Sequence, residues 1–380
     1  MGGVGVHSGR PFLDTGTSVK ITEIRVTQHE IDLDPPMYAA WDPDPRRSFA
    51  ATVVRVETDE GVVGVGSGDT MAGFAPYREL FLGTDPLAIE PQVRRIASIA
   101  FHGGRFWPLE AALWDILGQV AGLPVSVLFG GVADRLPVYA SWCSVQPPGR
   151  RAEDAAELVA RGFRAVKVRV DPRDPEPGVA SVAAVREAVG DRLDVLVDLN
   201  QAWRMPGDTR PAVELADIRA LVRRLAEHAP GWIEEPLPYA DVAGHRLLRA
   251  DNPGLRIASG EMLDSETQVH ALVDADALDV VQTDVVLSLG MSRTRRLAED
   301  LAARHRRFTP HTWSNGVGLL ANLHVAAGVG AGPYLEFPYD PAGGWTPERR
   351  DFLLAEPLWP APDGTLAVPQ APGLGATLAV

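Results

Sequence analysis

Cysteine and long apolar runs are scarce in this sequence, and each absence excludes a class of protein. Cys143 is the only cysteine among 380 residues, so no disulfide can form within the chain and we expect a reducing, cytoplasmic location. The longest apolar stretch, at 317–330, contains Asn322 and His324 and is too short to cross a bilayer. The first twelve residues lack the apolar segment of a signal peptide, which predicts a frayed tail.

Positive charge is scarce as well. The chain has 36 Lys and Arg residues against 50 Asp and Glu residues, which gives a formal net charge of −14. This balance argues against nucleic acid and against an anionic membrane as partners, because both require clustered basic side chains. An acidic small molecule stays possible, since a bound cation and a few nearby bases can reverse the field within one pocket.

The spacing of apolar residues predicts three parts. Residues 17–130 change from strand-like alternation to helical spacing, which is typical of a small α+β domain. Residues 131–340 alternate short buried runs with helices in seven strand–helix units and a final strand, which predicts the α/β class and a (β/α)7β-type TIM barrel. Residues 341–380 are rich in proline and are expected to return to the first domain. An open doubly wound sheet is the alternative, but its G-x-G-x-x-G turn is missing and the polar residues follow nearly every strand.

Three acids end three successive apolar runs: Asp198 in VLVDLN, Glu234 in GWIEEP and Glu261 in RIASGE. Parallel strands bring their carboxyl ends to one edge, so these side chains are expected to converge. Gathered carboxylates repel one another unless a cation lies among them, and oxygen ligands favour Mg²⁺. The simpler alternative is that each acid only caps the following helix, which is less plausible for three consecutive strand ends.

Two further pairs occupy predicted strand ends. Lys167 and Arg169 are two residues apart in AVKVRV, so both side chains point to one face, and they balance the acids or bind an anion. Asp284 and His311 end adjacent strands, and an Asp beside a His fixes its tautomer and raises its pKa, which suits a general base or acid.

Single polar residues complete the predicted rim. Glu336 ends the last strand, where it can share a proton with a substrate oxygen or pair with Lys167. Asn200 follows Asp198 by two residues and is a candidate contact to metal or substrate. Glu235 points away from Glu234, so only one of the two is expected to be a ligand.

The motifs together resemble the enolase superfamily, and within it the mandelate racemase group. They are KVRV at 167–170, VDLNQAW at 197–203, WIEEPLP at 232–238, ASGEM at 258–262, QTDVVLSLG at 282–290, PHTWSNGVG at 310–318 and LEFP at 335–338. The segment at 112–131 resembles the domain junction of that family, and the order of the motifs matches from about residue 19 to the end.

The resemblance implies that a carboxylate substrate binds Mg²⁺, loses its α-proton and forms a stabilised enediolate. Asp198, Glu234 and Glu261 match the metal ligands, Asp284 and His311 match the catalytic dyad, and Glu336 matches the acid that contacts the substrate carboxylate. The first domain resembles the family's cap, whose loops near Trp41 and at 67–73 would close over the distal end of the substrate. Homo-oligomers, dimers or octamers, are also implied.

One residue departs from the family pattern. The mandelate racemase group usually has Lys-x-Lys on the second strand, and here the second position is Arg169. Arginine is a poor base because its pKa exceeds 12, so two-base racemisation is disfavoured and single-base dehydration is favoured. We therefore predict an Mg²⁺-dependent dehydratase of an acid sugar, an aldonate or aldarate, that gives a 2-keto-3-deoxy acid.

Two alternatives stay open at this point. One is a racemase or epimerase of a 2-hydroxy acid that uses Arg169 and His311 on opposite faces, and the other is a catalytically silent carboxylate-binding protein. The particular acid sugar is not legible in the sequence, although Trp41, Arg46 and His102 are candidate substrate contacts.

Overall fold

The computed structural model describes residues 19–380, so the frayed tail predicted for the first twelve residues lies outside the described part. The N-terminal region begins with an antiparallel sheet of three strands in the order β1-β2-β3, formed by Ile21–Met37, Arg46–Thr58 and Val63–Gly68. Strands β2 and β3 are joined at the predicted hairpin turn, where Gly61 has a φ of 76° that favours glycine.

Three helices follow this sheet: α1 (Ile89–Gly103), α2 (Trp107–Ala121) and α3 (Val125–Leu128). Helix α2 ends, as predicted, at Gly122, which adopts the left-handed conformation that terminates many helices. Leu113 and Ile116 of α2 are buried against Val54 and Val56 of the sheet. The sheet, α1 and α2 thus share one apolar core.

The remaining strands form one curled parallel sheet with a helix after each of its first seven strands. Its strands are β4 (Arg135–Ser141), β5 (Ala165–Arg169), β6 (Asp194–Asp198), β7 (Ile233–Glu234), β8 (Ile257–Ser259), β9 (Val280–Val281), β10 (Arg307–Phe308) and β11 (Leu335–Pro338). The intervening helices are α4 (Pro148–Ala160), α5 (Pro175–Val189), α6 (Leu215–Ala226), α7 (Val242–Asp251), α8 (Glu266–Asp274), α9 (Met291–Ala303) and α10 (Gly316–Val329).

Closure of this sheet confirms the predicted (β/α)7β TIM barrel. Strand pairing runs from β10 through β4 to β11, and two hydrogen bonds span the seam between β10 and β11. The Gly332 amide donates to Phe308 O at 3.3 Å, and Thr312 Oγ1 donates to Glu336 O at 2.9 Å. A closed barrel excludes the open doubly wound sheet.

Strand periodicity directs the acids toward the barrel mouth. Leu196 and Trp232 are buried inside the barrel, in a small cluster separate from the core between the strands and the helices. Asp198 and Glu234 follow them by two residues and therefore point to the same side. The apolar layer supports the polar layer above it.

The C-terminal segment contacts both the barrel and the first domain. It contains α11 (Pro347–Arg350) and β12 (Thr365–Ala367), and β12 pairs antiparallel with β4, a contact that the sequence did not predict. Further on, the Leu374 amide donates to Asp115 Oδ1 of α2 at 2.7 Å. Among residues 19–380, no helix combines the length and the apolar character needed to cross a bilayer.

A buried carboxylate on α2 joins the first domain to the barrel. Glu110 accepts hydrogen bonds from the Met291 and Ser292 amides, at 3.0 and 2.8 Å, where α9 begins. Trp107 Nε1 donates to Ser288 O at 2.8 Å beside it. A negative charge at a helix N-terminus satisfies amides that have no partner within the helix. This contact fixes the first domain above the loop that carries Asp284.

Candidate active site

Three buried carboxylates converge at the mouth of the barrel. Asp198 and Glu234 end β6 and β7, and Glu261 lies two residues beyond β8. One oxygen from each lies within 4.8 Å of the others, as the sequence predicted for a metal centre. Burial, reinforced by Asp198, raises the pKa of Glu234 to about 7, although Lys167 opposes the shift. Glu235 is outside the trio, and its Oε1 accepts a hydrogen bond from Tyr239 Oη at 2.6 Å.

Lys167 links this trio to the last strand. Its Nζ lies 2.5 Å from Glu234 Oε1, 2.8 Å from Glu336 Oε1 and 3.5 Å from Asp198 Oδ2. Burial alone would lower the pKa of Lys167, but the carboxylates outweigh it and raise the pKa. Lys167 is therefore a fixed positive charge.

Arg169 is held on every side. Nε donates to Trp142 O at 2.8 Å, Nη2 donates to Ser141 Oγ at 3.3 Å, and Nη1 donates to both Asp198 and Asn200. Its guanidinium carbon also lies 4.7 Å from the ring centre of Trp41 and 5.9 Å from that of Trp313, both of which line the cavity. These contacts immobilise a delocalised cation beside two aromatic rings that contact each other edge to face.

The predicted dyad is present. His311 Nδ1 lies 3.0 Å from Asp284 Oδ2, while Asp284 Oδ1 accepts hydrogen bonds from the amides of Val286 and Leu287 at 2.8 and 3.1 Å. A carboxylate at Nδ1 leaves Nε2 as the imidazole nitrogen that can take a proton. That nitrogen is 3.7 Å from Glu261 Oε2, on the side of the acidic trio.

The carboxylates of the site determine the direction in which the pKa of His311 shifts. Burial would lower its pKa, but Glu261, Asp284 and Glu336 raise the pKa of His311 to about 9. A divalent cation held by the acidic trio would oppose this shift. Glu336 itself accepts a hydrogen bond from the Thr312 amide at 2.9 Å, and the positive charge of Lys167 holds the pKa of Glu336 below its usual range despite burial.

Asn200 has a positive φ of 45° and lies beside both Asp198 and Arg169. The backbone amide of Asn200 donates to Asp198 Oδ1 at 2.8 Å, and its side-chain Oδ1 accepts a hydrogen bond from Arg169 Nη1 at 3.1 Å. Asn200 therefore orients a predicted ligand, and it also lines the cavity.

A cavity of about 660 Å³ lies between the barrel mouth and the first domain. Its barrel wall includes Arg169, Asn200, Glu261 and His311. The other predicted catalytic residues, Lys167, Asp284 and Glu336, are buried and do not line it. Such a volume suits a small organic ligand. Trp41, predicted as a substrate contact, also lines the cavity, and it comes from the first domain.

The wall contributed by the first domain, which we call the cap wall, was only partly predicted. Arg46 lines it, and so does Asp69 from the predicted loop at 67–73. His102 does not line the cavity: it is exposed at the end of α1, and Arg105, three residues later, faces the cavity instead. Helix α1 ends at Gly103, so the chain turns toward the barrel only after His102. Nothing in the local sequence pattern distinguishes Arg105.

Asp69 has no ion-pair partner within 4 Å among the described residues. Its side chain is exposed to the cavity, yet the surrounding walls displace water and Asp284 carries the same charge. Together they raise the pKa of Asp69 to about 7, while Arg46 and His311 oppose the shift.

The donor set fits Mg²⁺. Asp198, Glu234, Glu261 and Glu336 are buried together, and Lys167 and Arg169 are the basic side chains that pair with them. The available donors are the hard oxygens that Mg²⁺ prefers, and a divalent cation would offset negative charge that remains. Asp198, Glu234 and Glu261 would hold the ion.

Fold and site together define a class: a TIM barrel with a cluster of carboxylates that could bind a metal ion, covered by an α+β cap. A family profile described as Enolase C-terminal domain-like matches residues 150–379. The chain belongs to the enolase superfamily, and its predicted resemblance to the mandelate racemase group is confirmed.

Known relatives extend the similarity to most of the chain. The 3,6-anhydro-alpha-L-galactonate cycloisomerase of Streptomyces coelicolor is 30% identical over 348 residues, which cover 87% of this chain and 89% of that protein. The L-talarate/galactarate dehydratase of Salmonella typhimurium is 30% identical over 312 residues, which cover 77% and 74%. A crystal structure of a racemase from Streptomyces coelicolor A3(2) with bound magnesium is 27% identical, with a TM-score of 0.80 over 94% of this chain and 97% of that one.

Proposed function

We propose that this protein is an Mg²⁺-dependent dehydratase of an acid sugar that yields a 2-keto-3-deoxy acid. The observation that carries the proposal is the Asp284–His311 pair, whose Nε2 lies beside the acidic trio at the wall of a cavity of substrate size. An acid and a base beside a cation site are what α-proton abstraction from a carboxylate requires.

In the proposed reaction His311 Nε2 takes the proton from the α-carbon, and Asp284 stabilises the imidazolium that forms. When bound, Mg²⁺ supplies positive charge that lowers the energy of the substrate carboxylate as the α-carbon loses its proton. The imidazolium then returns a proton to the β-hydroxyl group, the C–O bond breaks, and water leaves. The resulting enol tautomerises to the 2-keto acid.

Lys167 and Arg169 contribute fixed positive charge. Lys167 is fully buried between Glu234 and Glu336, so its ammonium group adds a fixed positive charge beside the acidic trio. Every nitrogen of Arg169 already donates a hydrogen bond, and the surrounding carboxylates, Asp198 above all, outweigh burial and raise the pKa of Arg169. This arrangement supports an electrostatic role and weakens the racemase alternative, which needs a neutral Arg169.

The experiment is a screen of purified protein with Mg²⁺ against a library of aldonates and aldarates. Formation of a 2-keto acid is read by semicarbazide absorbance, and uptake of solvent deuterium at the α-carbon is read by NMR. The dehydratase gives keto acid from one α-configuration. A racemase would give deuterium exchange from both stereoisomers without keto acid, and no turnover of any acid would contradict both.

A second candidate is a cycloisomerase, which the 30% identity to the Streptomyces coelicolor cycloisomerase supports. Adding sugar-acid lactones and anhydro-sugar acids to the same library distinguishes it. A cycloisomerase consumes such a ring-containing acid and leaves the open-chain aldonates unchanged.

A further inference from the structure

The cap wall of the cavity carries three charged side chains that the proposed reaction does not use: Arg46, Asp69 and Arg105. They come from the start of β2, the residue after β3 and the residue two positions after α1. The wall faces the part of a bound acid sugar that is not held by the metal centre. Its charge therefore bears on what that end of the substrate can be.

Both arginines are already paired. Arg46 makes a two-pronged contact with Asp42, with Nε 2.5 Å from Oδ2 and Nη2 3.0 Å from Oδ1. Arg105 Nε lies 3.2 Å from Asp264 Oδ2, and its Nη1 donates to Met262 O at 3.0 Å. Each cation therefore already has a carboxylate within ion-pair distance.

Displacing the partner of Arg46 is unfavourable. The Asp42 side chain is only 5% exposed, so a ligand carboxylate that replaced it on Arg46 would leave a nearly buried charge without a partner. Asp69, in contrast, faces the cavity with no ion-pair partner within 4 Å in the described part of the chain. The cap wall thus presents one uncompensated negative charge.

We propose that Asp69 makes the site selective for aldonates, which end in a hydroxymethyl group, over aldarates, which end in a second carboxylate. This inference rests on the proposed function and narrows its substrate class. A carboxylate accepts hydrogen bonds from sugar hydroxyl groups, whereas a second substrate carboxylate brings a like charge toward Asp69. Selectivity arises from this repulsion together with the attraction of hydroxyl groups.

The test compares six-carbon aldonates with the aldarates of the same configuration at carbons two to five. With Mg²⁺ at pH 8, kcat/KM of the wild-type protein is expected to be at least about tenfold higher for the aldonate of an accepted pair. Asp69→Asn preserves the size of the side chain and is expected to reduce this ratio several-fold. Glu60→Gln removes the same charge from the exposed turn between β2 and β3, and we expect it to leave the ratio unchanged.

Measurements of binding alone test the selectivity of Asp69 independently of the proposed dehydratase activity. In His311→Asn, which removes the proposed base, calorimetry gives the dissociation constants of both acids with or without turnover. Tighter binding of the aldonate, weakened in the double variant with Asp69→Asn, supports the inference even if no acid is dehydrated. Equal binding, tighter binding of the aldarate, or a preference that Asp69→Asn leaves intact overturns it.

Discussion

Asp340 is predicted to be one of the largest single contributors to the stability of the barrel rim. It lies beyond β11, fully buried, and accepts hydrogen bonds from Arg151 Nη1 and Nη2 at 2.8 and 2.9 Å. It also accepts from Ser144 Oγ at 2.7 Å and from the Ser144 and Cys143 amides at 3.0 Å. Asp340→Ala removes these five hydrogen bonds, together with a longer one from Cys143 Sγ at 3.5 Å, and leaves the buried Arg151 guanidinium without its main counter-charge.

The expected loss in the free energy of unfolding is about 3–5 kcal/mol, the range for a buried ion pair that loses one partner. Asp154→Ala is a matched control, because Asp154 also pairs with Arg151, at 3.1 Å, but its side chain is 12% exposed. That variant is expected to lose about 1 kcal/mol or less. Urea denaturation followed by tryptophan fluorescence and circular dichroism measures both.

The pH dependence gives an independent check. Burial alone would raise the pKa of Asp340, but the hydrogen bonds from Arg151 and Ser144 outweigh burial and lower this pKa in the folded state. The stabilisation is therefore complete above the unfolded pKa of about 4 and is lost as the pH falls through the folded pKa. The difference between wild type and Asp340→Ala should stay constant from pH 7 to pH 5 and shrink below that pH. A loss under about 1 kcal/mol, or one equal to that of Asp154→Ala, would refute the reasoning.

Three further predictions concern the site. His311→Asn should lower α-proton exchange in deuterated buffer by about 10²–10⁴-fold, because the general base is lost, and NMR of the substrate measures this. Mg²⁺ at about 100 times its Kd should raise the free energy of unfolding by about 2.7 kcal/mol, and Glu261→Gln should weaken Mg²⁺ binding, both followed by thermal denaturation and calorimetry. The preference for aldonate over aldarate should decrease as the pH falls from 8 to 6, since Asp69, facing Asp284, Arg46 and His311, loses its charge near pH 7.

Each of these has a defined contrary result. Undiminished exchange in His311→Asn places the base elsewhere, and stabilisation by Mg²⁺ that survives Glu261→Gln and chelation places the ion outside the trio. The pH series uses the ratio of kcat/KM for two substrates, so ionisations that affect both acids equally cancel. A ratio that is flat across pH 7 contradicts a titrating Asp69.

The barrel and its polar rim were predictable because they depend on local patterns. Short β-branched runs that end in Asp198 or Glu234 determine both the strand and the direction of its last side chain. Closure then brings successive strand ends together, so sequence order translates into position around the rim. The pairing of Asp284 with His311 follows from the same rule, since β9 and β10 are neighbours.

The cap wall was less predictable, because its residues reach the cavity through tertiary contacts. Arg105 faces the cavity only because α1 ends at Gly103, and His102, three residues earlier, is exposed instead. The pairing of β12 with β4 likewise joins segments more than 200 residues apart, without a periodic signal in the C-terminal segment. The homo-oligomer and the cytoplasmic location stay predictions, since both depend on surroundings that one chain does not define.

The Glu110 contact has a consequence for how a substrate enters. Because that buried carboxylate anchors α2 to the first turn of α9, swinging the whole N-terminal domain aside would expose unpaired amides at Met291 and Ser292. Entry is easier if only the short connections around Trp41 and Asp69 rearrange while the two domains remain docked. The speed of opening is then a property of those connections, and it can change in evolution without altering the joint that keeps the catalytic groups aligned.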